Sequence, residues 1–80
     1  MVKDYIIDWF AKKSTMSREE LINNFDIAYL ENGLIDSLSF LELTTDCEEE
    51  FNIVFDDDDF ADDGFFRISG LVDIIESKLK

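Results

Sequence analysis

The strongest constraint on this chain is one periodic run. In the stretch from Ser37 to Asn52, Phe40, Leu43, Cys47 and Phe51 recur at three- and four-residue intervals. At about 100° per residue they form a single stripe, which an α-helix buries and a strand would split between two faces. Two further segments repeat the pattern. Val2, Ile6, Trp9, Phe10 and Lys13 line one side of a helix over about Val2–Lys13, with Lys12 and Lys13 in its last turn, where cations suit the helix dipole. Leu71, Val72, Ile75 and Leu79 define a last helix that is expected to start at Ser69 as N-cap, just after Ile68, and to run to the C-terminus. Proline is absent and there are only three glycines, which favours helices over a turn-rich β fold.

Between the first two helices lies a long connection, 14–36. Ser17 and Glu20 have capping-box spacing, so Arg18–Phe25 is expected to form a short helical turn. Gly33 marks a turn, and Leu30, Leu34 and Ile35 are expected to tuck onto the bundle. A second short turn is expected around Phe60 in DDDDFADD, residues 56–63. The expected fold is therefore all-α. It is a small four-helix bundle, three main helices plus one short one, with a long loop between the first two main helices and one domain over residues 1–80.

Charge narrows the function. Twenty acidic against seven basic residues give a net charge of −13, which excludes nucleic acid as a partner because its backbone would be repelled. No apolar run approaches the roughly 18 residues of a membrane span, so no membrane insertion is expected. One cysteine excludes an internal disulfide, and with no signal-peptide layout at the N-terminus the expected location is cytoplasmic. Without histidine there is no Ser-His-Asp triad and no Cys-His pair, so ordinary nucleophilic hydrolysis is not expected. Cys47 lies on the apolar stripe and reads as a small buried hydrophobe, and one Cys with no His leaves no zinc set. An EF-hand loop with Gly64 at its sixth position would put Ala61 at the third and Gly70 at the twelfth. That pattern fails twice, so any divalent binding at 56–63 is expected to be weak.

On the central helix, Leu38 falls roughly opposite the buried stripe and Leu41 lies between the two faces. Glu42, Asp46 and Glu49 share the outer face with Leu38, and no Lys or Arg occurs between Leu34 and Arg67 to offset them. Two readings remain open: a solvated acidic face, or a docking surface for basic partners. Ser37 opens this helix after Asp36, and either residue could cap it. A serine there could also be a substrate, since free N–H groups and the positive dipole end favour a phosphate on its oxygen.

Asp36-Ser37-Leu38, Leu41-Glu42-Leu43 and Glu48-Glu49-Glu50-Phe51-Asn52-Ile53 together resemble the acyl carrier protein family, without gaps from Asp36 to about Phe55. Weaker similarity covers nearly the whole chain, including Phe66-Arg67-Ile68-Ser69. The spacing Gly33-Leu34-Ile35-Asp36-Ser37 and the run Tyr29-Leu30-Glu31 look more like stand-alone carriers such as the D-alanyl carrier proteins than like fatty-acid members. The resemblance implies that Ser37 carries a covalent 4′-phosphopantetheine arm from coenzyme A. A phosphopantetheinyl transferase would attach it, with Asp36 as the adjacent acid assisting that step. The arm would hold acyl or aminoacyl groups as thioesters in fatty-acid, polyketide, peptide or related biosynthesis. Leu38, Leu41, Glu42, Asp46 and Glu49 would face loading enzymes and synthases with basic patches, and the chain would act as a monomer. The rival expectation is an acidic interaction module whose Ser37 stays bare.

Overall fold

The computed structural model describes residues 1–80 as a helical bundle with no strand. Helix α1 spans Val2–Lys13, α2 Arg18–Asn23, α3 Ser37–Phe51, α4 Asp57–Phe60 and α5 Ile68–Lys78, and a 3₁₀ turn over Asp63–Phe66 precedes α5. The expected three main helices are α1, α3 and α5. The turn around Phe60 is a second short helix, so the bundle has two short helices where the sequence suggested one.

Helix ends follow their local chemistry. The Ser17–Glu20 capping box forms, with Ser17 Oγ accepting the Glu20 N–H and Glu20 accepting the Ser17 N–H. Helix α2 then stops at Asn23 rather than Phe25, because the Asn24 side chain donates to the Glu20 carbonyl at 2.8 Å and caps the last turn. Helix α3 stops at Phe51, since Asn52 turns left-handed at φ 54° and its N–H returns to the Glu48 carbonyl.

The start of α5 departs from expectation. Ser69 is not the N-cap; Arg67 holds that position and gives no side-chain cap. The free N–H groups of the first turn go to the long connection instead: Ile68 N–H to the Ile27 carbonyl at 3.2 Å and Ser69 N–H to the Phe25 carbonyl at 2.9 Å. With its backbone thus satisfied, Ser69 turns its hydroxyl to Asp26 Oδ1 at 2.5 Å. Leu79 departs as well. It lies beyond the end of α5 and is 47% exposed, so the buried stripe of α5 consists of Ile68, Leu71, Val72 and Ile75.

One core of 16 buried residues joins the three long helices to the connection, which contributes Leu21, Tyr29 and Ile35. Leu30 and Leu34 are half-buried against it, as expected. On α3 only Leu43 and Cys47 are fully buried, and Phe40 and Phe51 flank them half-buried. Aromatic rings carry contact across the bundle: Phe10 meets Tyr29 at 5.0 Å between centroids, Tyr29 meets Phe40 at 6.3 Å, and Phe40 stacks on Phe66 at 5.7 Å. Helix α5 reaches the 3₁₀ turn so closely that a Cβ on Gly70 would collide with the Gly64 backbone, which only glycine at 70 permits.

Candidate functional site at the start of helix α3

The connection delivers the chain to α3 through a fixed turn. Leu34 N–H donates to the Tyr29 carbonyl at 2.9 Å, Gly33 takes a left-handed φ of 72°, and Ile35 is buried. Asp36 is thereby placed at the N-cap, where its Oδ1 accepts the Ser39 N–H at 2.8 Å. Of the two residues that could cap α3, Asp36 does so. This backbone hydrogen bond from Ser39 is the main reason its carboxyl lies below the usual carboxylate range, and it stays ionised at neutral pH.

Ser37 is therefore released from capping. It is the first residue of a 15-residue helix and is exposed. Its hydroxyl stands at the positive end of the helix dipole, next to an ionised carboxylate. Leu38 is 77% exposed and Leu41 61% exposed, two apolar side chains within a helical turn or so of the serine. Glu49, farther along, is also exposed.

Glu42 and Asp46 differ from this picture. The acidic face is not uncompensated, because α1 crosses beside it. Lys13 Nζ pairs with Glu42 Oε1, and Trp9 Nε1 donates to Asp46 Oδ2 at 2.8 Å. Lys13 also lies 5.7 Å from the centre of the Trp9 ring. The hydrogen bond to Glu42 is the first cause of the raised pKa of Lys13. A helical wheel of α3 alone cannot show these contacts, which bridge 29 and 37 residues of sequence. One sign was present in α1: a lysine on an apolar stripe calls for an acid across the interface.

The remaining groups named from sequence have structural roles. Cys47 is fully buried, and burial first of all pushes its thiol up to about 12, so it is no nucleophile. In the acidic segment 56–63, Asp56 and Asp59 cap each other's backbone N–H groups. Asp59 also receives Lys78 Nζ at 2.7 Å, and Asp62 accepts the Gly64 N–H at 2.8 Å. No helix is long and apolar enough to cross a membrane.

The fold and site define a small acidic helical bundle that presents an uncapped serine and two bare leucines at the start of its central helix. No protein-family model matches the chain, and neither a curated protein nor a solved structure matches it.

Proposed function

We propose that the chain is a carrier protein whose Ser37 bears 4′-phosphopantetheine, attached by a separate phosphopantetheinyl transferase in the cytoplasm. One observation carries this reading: Asp36 takes the capping role, so the neighbouring serine hydroxyl is left exposed at a helix N-terminus. A phosphodiester on that oxygen would meet free N–H groups and the helix dipole, both of which stabilise its charge. The carboxylate oxygen of Asp36 that does not cap would be available to help position the transferase's metal. Leu38 and Leu41 would supply the apolar contact with partner enzymes, with Glu49 as the free acid on the same helix. Glu42 and Asp46 would take part only by exchanging Lys13 and Trp9 for groups of the partner. The chain itself would catalyse nothing; it would hold a thioester for enzymes that act on it, as a monomer.

The test is intact mass after incubation with coenzyme A, Mg²⁺ and a broad-specificity transferase. The wild type should gain one phosphopantetheine and Ser37→Ala none, with unchanged helical circular dichroism. Modification that persists in Ser37→Ala would move the site. An unmodified wild type would leave an acidic docking module with a bare serine as the better account.

A further inference from the structure

The turn that leads into α3 contains the dipeptide Asn32-Gly33. Of the four asparagines, only Asn32 is followed by glycine; the others precede Asn24, Phe25 and Ile53. An asparagine amide can be attacked at Cγ by the backbone nitrogen of the next residue, and a side chain on that residue obstructs the approach. Gly33 has none, and a Cβ at its position would meet nothing within 4 Å. Both residues are exposed. The reacting atoms are therefore adjacent, unhindered and in reach of water.

The folded turn restrains the same atoms. Asn32 Nδ2 donates to the Ala28 carbonyl at 2.8 Å, which ties the amide to the preceding turn. The Gly33 N–H donates to the Leu30 carbonyl at 3.1 Å, so the attacking nitrogen is itself engaged. Both bonds have to open before a ring can close. Asp63-Gly64 is the aspartyl counterpart in this chain, but a carboxylate is a poorer electrophile than an amide, and the Gly64 N–H is held by Asp62 at 2.8 Å.

We propose that Asn32 is a site of spontaneous covalent modification, deamidation, held in check by the folded turn. The Gly33 nitrogen bonds to Asn32 Cγ, the Cγ–Nδ2 bond breaks, and Nδ2 leaves as ammonia with the proton of the attacking nitrogen. Water then opens the succinimide at either carbonyl, giving aspartate or isoaspartate, with no redox step. Either product places a new carboxylate beside Glu31, on a chain already at −13. Isoaspartate also routes the main chain through Cβ and lengthens it by a methylene. The lengthened segment lies inside the span closed by the Leu34 N–H on the Tyr29 carbonyl, which delivers Ile35 to the core and Asp36 to the N-cap of α3. A change in the turn is thus passed to the start of α3, whatever Ser37 carries.

The full chain, native and in guanidinium chloride, is kept in mildly alkaline buffer and sampled over days. Intact mass should rise by about 1 Da as the amide becomes a carboxylate. Peptide mapping should place the change at Asn32 alone, and an isoaspartyl methyltransferase should label the isoaspartyl form. Conversion should be roughly tenfold slower in the native chain, as two turn hydrogen bonds that must open imply. Asn32→Gln, which would have to close a larger ring, should stay unconverted. In ¹⁵N spectra the isoaspartyl form should shift the amides of Leu34 to Ser39 and leave those of Leu71 to Ile75 in place. No conversion in either state, or conversion first at Asn23, Asn24 or Asn52, would overturn the site. Equal rates in the two states would overturn the restraint, and unmoved amides at Leu34 to Ser39 would overturn the link to α3.

Discussion

Replacing Trp9 by Phe tests how α1 holds the acidic face of α3. Trp9 is buried, and its Nε1 donates to Asp46 Oδ2 at 2.8 Å. Hydrogen bonds to charged groups contribute about 1.5–3 kcal/mol. Asp46 is partly exposed and can take up water in the variant, so the low end, about 1.5 kcal/mol, applies. Trading indole for phenyl also leaves unfilled space in a tight contact, which adds about 1 kcal/mol by analogy with other buried truncations. The sum, about 2–3 kcal/mol, is within the roughly 4–12 kcal/mol expected for 80 residues, so the variant should fold. Urea denaturation followed by circular dichroism would give each stability. A double-mutant cycle with Asp46→Ala, which removes the acceptor, isolates the pair, with an expected coupling of about 1–1.5 kcal/mol. A coupling below about 0.3 kcal/mol, the usual error of additivity, would show that Asp46 is a free outer-face carboxylate and that the indole contributes only packing.

Three further outcomes follow from named contacts. Gly70→Ala should destabilise by about 3 kcal/mol or more, read as a lowered melting temperature, because its Cβ meets backbone that cannot rotate away; Gly33→Ala, which has open space and only the φ penalty, should cost about 1–2 kcal/mol. Above pH 9 stability should fall: the Cys47 thiol, ordinarily near 9.0, is held up to about 12, so its contribution is complete below pH 9 and is lost as pH rises toward 12, at no more than about 1.4 kcal/mol per unit, and Cys47→Ala should show a shallower slope in denaturation at pH 8 to 10.5. Glu42→Lys sets a second lysine against Lys13 and should lower the melting temperature at low salt, with the deficit shrinking in 200 mM NaCl; an unchanged or higher value would show that relief of repulsion along the acidic face outweighs the lost Lys13 pair.

What could be read from the sequence was what repeats locally. The Leu43–Cys47 stripe, the Ser17–Glu20 box and the exposure of Leu38 all follow from helical spacing, and all are present. Ser69 reads as a cap because capping residues are recognised by type, whereas the helix starts two residues sooner, with the N–H groups of Ile68 and Ser69 taken by carbonyls more than 40 residues earlier. Glu42 and Asp46 appeared free because the partners that hold them lie on α1. Leu79 continued the periodicity of α5 past the point where the helix ends. The bridge between Ala28 and Arg67 forms where two irregular segments pair, and neither carries a repeating pattern.

The pairing of residues 25–29 with 66–69 has a mechanical side. Those segments share backbone hydrogen bonds, and α5 is tied to the connection through them. Helix α3 donates or accepts no backbone hydrogen bond outside its own ends; it is held by side chains, through Phe40, Leu43, Cys47, Trp9 and Lys13. Tilting or sliding α3 therefore strains side-chain contacts, namely packing, the Trp9–Asp46 hydrogen bond and the Lys13–Glu42 pair, while the tie between α5 and the connection resists until backbone hydrogen bonds break. The helix that presents Ser37 is, like α1, fastened by side chains only, and a surface pressing on Leu38 and Leu41 would move it against those contacts rather than against a backbone ladder.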